Sequence, residues 1–384
     1  MSNPLRILAV CGYPSDTKPA YEVFVPTFLQ ELGECGASVE VINPQSVWNL
    51  AKHGSARRLA PRFEIRDGIP ISRPLYTSYS NIPVPFAGST RILSDRSYAR
   101  AAIRGFNQRD GSFDLCFGHF IYPHAFAALK IARRLGIPAV ASLGESSFKR
   151  YERAYDPATI GSLLERFHGV YTNSPLLRDH CVDQFGLCAD QVPVFPNGVS
   201  RDFYPRDREE ARRQCGLPLD RPIVAFVGRL IESKGPLRLV EAIRLRPEIG
   251  AIFLGVGPHK PEGPQVLFQG SVRHEDVPVW LSAADVFALP TLAEGCSNAI
   301  LEALSCGLPV ISSDLPFNRA ILDNETALLV DPRNTHDIGR AIAGLVDSTE
   351  RRTQLSEAAL EHAAQFSLRD RARLVLEFME GCIA

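Results

Sequence analysis

Net charge is almost missing from this chain: 42 lysines and arginines face 43 aspartates and glutamates, a formal −1. Bulk attraction to nucleic acid is therefore not indicated, and no nucleic-acid partner is expected. Long apolar runs are missing too, since none approaches the roughly 18 residues that a spanning helix needs. The opening run Leu5-Arg-Ile-Leu-Ala-Val10 is short for a signal-peptide core and reads as a first buried strand. Paired cysteines are the third absence. Nine cysteines are scattered without a C-x-x-C spacing, which favours free thiols in a reducing cytoplasm over a disulfide framework or a metal site. What remains is 384 residues, 45% hydrophobic and 22% charged, an ordinary soluble composition with length for two cores.

The most informative stretch is Ala293-Glu-Gly-Cys-Ser-Asn-Ala-Ile-Leu-Glu-Ala-Leu-Ser-Cys-Gly307. It follows an apolar run over residues 285–290 that reads as the end of a buried parallel strand. A small-residue loop comes next, then a helix over 298–305 with Gly307 beyond its end. Backbone N–H groups from Gly295, Cys296, Ser297, Asn298 and Ala299 would face outward there, and the helix dipole favours a phosphate or carboxylate. Glu294 and Glu302 frame that anion site. Two carboxylates beside a bound anion make sense if each accepts hydrogen bonds from hydroxyls, as on the two sugars of a nucleotide sugar.

Strands and helices alternate along the whole chain, which predicts parallel sheets with ligands at the carboxyl ends of the strands. In the first half, strands are expected over 6–11, 38–42, 113–117, 139–143, 169–174 and 192–195. His119 and His124 fall at or just past a strand's carboxyl end, His119 being the stronger functional candidate. Between residues 57 and 109 ten arginines stand against three acidic residues. Arg96, Arg100 and Arg104 recur at i, i+4, i+8 on an expected helix over 94–106. A solvated surface is the plain reading; an electropositive face for an anionic, lipid-linked acceptor at a membrane is the sharper one.

Pro196-Asn-Gly-Val199 and the charged residues 201–213 mark a domain boundary. A second apolar strand then ends at Gly228-Arg229, and Lys234 stands just before a helix over 236–243. Two cations beside a helix start suit a diphosphate, Arg229 through its fork and Lys234 as a point charge. Residues 265–268 read as a native strand although Val266-Leu-Phe-Gln-Gly270 is similar to a protease cleavage tag.

The spacing Glu294-x7-Glu302 resembles the E-x7-E motif of the retaining GT-B glycosyltransferases of family 4. Pro196-Asn-Gly-Val199, Gly228-Arg-Leu230 with Lys234-Gly235, and Ala283-Ala-Asp-Val-Phe-Ala-Leu-Pro290 occur in that family's order. The resemblance implies an α/β chain of two Rossmann-like domains, over residues 1–197 and 198–365, with a donor cleft between them. A C-terminal helix over 366–384 would return to the first domain. It implies a metal-independent hexosyltransferase that moves a sugar from a nucleoside diphosphate to a glycan, lipid-linked or small-molecule acceptor, with no cofactor. Glu294, His119, Arg229 and Lys234 would serve catalysis. Gly228, Val272, Gly295 to Ala299 and Glu302 would hold the donor, Val272 by seating the nucleobase. A cytoplasmic enzyme, peripheral at the inner face of the membrane, in polysaccharide or glycolipid biosynthesis is the expectation. Two first-domain motifs depart from the family: Ala20-Tyr21 replaces paired glycines, leaving Lys18 to supply charge, and Leu143-Gly144-Glu145-Ser146 replaces a His-Gly-x-Asp pattern. A non-catalytic nucleotide-sugar-binding scaffold and a nucleotide-sugar epimerase are the rival readings.

Overall fold

In the computed structural model, residues 4–16, 22, 24–49, 59–79, 82–84, 88–107, 111–146 and 148–383 are described. Lys18, Ala20-Tyr21, Arg57, Arg58 and Arg109 lie outside them. The chain forms two compact units, Met1–Pro196 with Arg369–Ala384, and Asn197–Leu368.

The first unit is built on strands β1 (Leu5–Val10), β2 (Ala37–Ile42), β3 (Phe63–Arg66), β4 (Ile69–Ser72), β5 (Leu115–His119), β6 (Ala139–Leu143) and β7 (Gly169–Thr172). They form one seven-stranded sheet in the order β7-β6-β5-β1-β2-β4-β3. All neighbours run parallel except β3, which turns back along β4 as an antiparallel edge. Helices α1 (Phe24–Glu34), α2 (Arg91–Phe106), α3 (Phe126–Leu135), α4 (Pro157–Leu164) and α5 (Pro175–Phe185) accompany it. Strands β5 and β6 are buried at every position, as a sheet covered on both faces requires.

The second unit carries α6 (Arg208–Cys215), β8 (Ile223–Val227), α7 (Pro236–Ile243), β9 (Gly250–Leu254), β10 (Val266–Gly270), α8 (Val277–Ser282), β11 (Val286–Leu289), α9 (Asn298–Ser305), β12 (Val310–Ser313), β13 (Ala327–Val330), α10 (Thr335–Val346) and α11 (Thr349–Ala363). Its six strands are ordered β10-β9-β8-β11-β12-β13 and all run parallel. The protease-tag look-alike is β10, paired through Phe268 and Gln269 to Ile252 and Phe253. The last helix, α12 (Leu368–Gly381), belongs to the first unit. There Phe378 meets the rings of Tyr171 and Phe195 at 6.0 and 5.7 Å, and Arg371 lies 4.6 Å from the Phe28 ring. Among the described residues no helix is long and apolar enough to cross a membrane.

Two local expectations are corrected, and one charged stretch proves to be helical. Residues 192–195 do not form a strand; they make one isolated bridge, Thr172 to Val194. Pro193 and Pro196 have no N–H to extend a ladder, so pairing stops after two bonds, Thr172 N to Pro193 O and Phe195 N to Thr172 O. The charged stretch after Arg201 contains α6. The Asp207 carboxylate caps that helix by accepting from Glu210 N, and Gly216 ends it in the left-handed conformation. Its Arg212 is buried against Asp285 at 2.6 Å and Ala283 O at 2.9 Å. Finally, the arginine-rich segment is not uniformly a surface charge. Arg73 is 2% exposed, paired with Glu64 at 2.5 Å and donating to Pro14 O at 2.9 Å.

Candidate functional site

A doubly wound sheet offers a ligand its best crevice where the strand order reverses. In the second unit this point lies between β8 and β11, adjacent parallel strands whose carboxyl ends share one edge. The loop after β8 carries Gly228, Arg229 and Lys234; the loop after β11 carries residues 290–297 and runs into α9. Residues 60 positions apart in sequence are thereby brought side by side.

The two loops are tied together by backbone. Leu292 N and Thr291 Oγ1 both donate to Ser233 O, at 2.6 and 3.2 Å, and Arg238 donates to Pro290 O at 2.9 Å. Gly235 permits this approach: its φ is +80°, and a Cβ there would stand 2.7 Å from Pro290 O. Gly228 turns the chain out of β8 with φ +152°. The Lys234 ammonium donates to the Glu294 carboxylate, both side chains being largely buried. Arg229 differs. It is exposed, and its guanidinium has no hydrogen bond or ion pair among the described residues.

Helix α9 starts at Ser297, whose extended backbone caps the helix while its hydroxyl makes no capping bond. The first-turn N–H groups, which have no intrahelical acceptor, therefore have no side-chain cap either. Gly295, Cys296 and Ser297 are buried in the loop that leads in, and Asn298 and Ala299 are half-buried at the helix start. Cys296 is held by Asn197, whose side-chain amide donates to its carbonyl at 2.9 Å and whose backbone N–H points to its sulfur at 3.4 Å. The Pro-Asn-Gly-Val turn thus braces the anion loop.

Glu302, one turn into α9, accepts from His274 Nε2 at 3.2 Å. Burial by itself would lower the His274 pKa, but the hydrogen bond and charge of Glu302, with Asp202 behind, prevail and raise it. Sequence reasoning missed His274. It lies 28 positions before its partner in a loop with no motif, and only the sheet order brings the two together. Val272, two residues earlier, is half-buried against the core after β10.

His119 belongs to the first unit, as the last residue of β5, at that sheet's own reversal point between β1 and β5. It is buried among Phe24, Phe117 and Phe120, with ring centroids 5.6, 6.4 and 4.2 Å away. Burial first, then Arg371 and His124, push its pKa down to about 3. His119 is therefore a neutral imidazole, and its Nε2 has no hydrogen-bond partner among the described residues. Its carbonyl accepts from His124 Nδ1 at 2.6 Å, which makes His124 a structural residue. Glu145 accepts from Ile121 N at 2.8 Å and so braces the turn after β5, where Phe120 adopts φ +69°.

Comparison with known proteins identifies the family and the fold. The glycosyl transferases group 1 profile matches residues 207–362, and the Glycosyltransferase Family 4 profile matches residues 22–203. A Bacillus subtilis (strain 168) protein, provisionally named teichuronic acid biosynthesis glycosyltransferase TuaC, is 31% identical over 88% of this chain and 88% of its own. A D-inositol 3-phosphate glycosyltransferase of Arthrobacter sp. (strain FB24) is 28% identical over 72% of each chain. Among solved structures, sucrose-phosphate synthase from Thermosynechococcus elongatus superposes with a TM-score of 0.76 at 20% identity, covering 98% of both chains. Anabaena HepE, solved with UDP and glucose, gives 0.72 at 18% identity over 99% of this chain and 100% of its own. The chain is a glycosyltransferase and belongs to glycosyltransferase family 4, with the two Rossmann-like units of the GT-B fold.

Proposed function

We propose that this enzyme transfers a sugar from a nucleoside diphosphate to an acceptor hydroxyl with retention of anomeric configuration, and without a metal. One observation carries the reading. At the reversal point of the second unit, an unpaired arginine and the Lys234–Glu294 pair flank a helix start whose N–H groups are uncapped. The diphosphate binds the N–H groups from Gly295 to Ala299, with Arg229 beside it and Lys234 sharing its charge between Glu294 and the phosphate. As the bond from the anomeric carbon to the phosphate oxygen breaks, these groups stabilise the charge that grows on the leaving group. The acceptor oxygen bonds to the same face of that carbon, and its proton passes to the departing phosphate oxygen. Glu302, held by His274, accepts from the ribose hydroxyls; Glu294 orients the transferred sugar. Val272 seats the nucleobase through its backbone, and Gly228 lets the β8 loop approach. His119, in the first unit, acts as a neutral hydrogen-bonding group. The names of the relatives support an acceptor in cell-surface polysaccharide or inositol-phosphate chemistry, and the UDP held by HepE makes UDP the first nucleotide to try.

Calorimetric titration of UDP, GDP and ADP into the wild type and Arg229→Ala tests the donor site. The expected result is micromolar binding of one nucleotide, weakened at least roughly tenfold by loss of a charged hydrogen bond. Equal affinity of the two proteins would reject Arg229 as a phosphate ligand. Proton NMR of the product's anomeric coupling tests retention.

A further inference from the structure

We propose that the first unit binds an anionic lipid bilayer through an apolar and arginine-lined face at the start of α2. Most large apolar side chains of this unit are inside, but Trp48, Tyr79, Ile82 and Leu93 are between 47% and 57% exposed. They lie together. The Trp48 indole donates to Ser78 O at 2.6 Å, next to Tyr79. Tyr79 exchanges hydrogen bonds through its backbone with the Ser94 hydroxyl on α2, at 2.7 and 3.2 Å. Ile82 N donates to Thr90 Oγ1, and Thr90 N to Ile82 O, both at 3.0 Å, one turn before Leu93. The Tyr79 and Ile82 segments are thus tied to the start of one helix, Trp48 is tied to the first of them, and all leave their apolar side chains partly in water.

The same helix face continues with charge. Leu93, Arg96, Arg100 and Arg104 fall at i, i+3, i+7 and i+11, a single stripe about 16 Å long. All four are exposed, whereas Tyr98, Ala99, Ala101, Ala102 and Gly105 on the other side are buried. Arg96 and Arg100 have no ion pair among the described residues, and Arg104 only donates to Leu75 O. Opposite charge that would neutralise the stripe is absent from it; the one acid of α2, Asp95, is buried and paired with Arg91 and Tyr155.

Charge and apolarity together select the occupant. A soluble polyanion would use the arginines and leave the tryptophan, tyrosine and two aliphatic side chains unused. The bilayer interface takes both at once: amphipathic aromatic rings at headgroup depth, aliphatic groups below, and guanidinium groups on anionic headgroups. The near-zero net charge of the chain means the attraction comes from this face rather than from the whole molecule.

Sedimentation of the full chain with phosphatidylcholine vesicles, with and without 30% phosphatidylglycerol, tests the proposal. The expected result is binding to the anionic vesicles at least tenfold stronger than to the neutral ones, together with a blue shift of Trp48 emission, read in Trp280→Phe. Arg96→Glu with Arg100→Glu, and separately Leu93→Asp, should each weaken binding tenfold or more while leaving nucleotide affinity unchanged. Those positions are exposed, so both variants should keep the wild-type melting temperature. Lack of binding to the anionic vesicles would overturn the proposal. So would undiminished binding of the variants, or binding without change at Trp48, which would indicate a purely electrostatic contact. The donor-site reading is decided separately by the nucleotide titration, so either can fail alone.

Discussion

Residue by residue, the site is a set of charges that constrain one another. Lys234 and Glu294 are each mostly buried, so removing one leaves the other without solvent or partner. Lys234→Ala is expected to cost about 3 kcal/mol in urea unfolding, and adding Glu294→Gln should return part of it. The two site histidines should respond to pH in opposite ways. His274 has a folded pKa raised above its ordinary 6.5. Its bond to Glu302 therefore stabilises the fold in full below 6.5, and that contribution fades as pH rises through the raised value. His119 has a folded value near 3 against the same ordinary 6.5. Its contribution is complete above 6.5 and is lost as pH falls toward 3, because the unfolded chain takes up a proton that the buried ring refuses. Imidazole chemical shifts should show His119 neutral throughout pH 5 to 8 while His274 titrates above its usual range. Titration of His119 near 6.5 would contradict the burial described for it.

At the scale of elements, the loops of the second unit depend on close backbone approach. A Cβ on Gly255, after β9, would stand 1.9 Å from Gly228 O in the neighbouring loop. Gly255→Ala should push that loop, lower the melting temperature and weaken nucleotide binding. Gly344 in α10 meets nothing closer than 3.5 Å, at the flexible end of Arg351. Gly344→Ala should therefore raise stability by about 0.5–1 kcal/mol, the usual gain for alanine within a helix, with no effect on binding. Helix α9 and strand β8 were legible in the sequence, since small residues, a glycine beyond the helix end and an unbroken apolar run are local signals. The short pairing at residues 192–195 and the helix at 208–215 were not. Proline chemistry stopped the first, and the second is secured by Arg212 reaching Asp285, 73 positions away.

For the molecule as a whole, α12 is counted with the first unit although it follows the second in sequence. Its Phe378 closes over β7, where a Cβ on Gly169 would lie 2.7 Å from the Phe378 ring. Phe378→Ala should cost about 2 kcal/mol. Hydrogen exchange should report the loss in β7 and leave β8 and β11 protected; equal loss in both sheets would mean the units do not unfold separately. Family motifs, the alternation of strands and helices, and the residue types of the donor loop could all be read along the chain, because each rests on neighbours within one turn or one strand. Partnership could not. That Lys234 meets Glu294, that Glu302 meets His274, that Arg73 is buried, and that Trp48 bonds beside Tyr79 and Tyr79 to Ser94 of α2 all follow from strand order and from the convergence of distant loops. Neither is written in local spacing, since the free energy that selects them comes from burying both faces of each sheet.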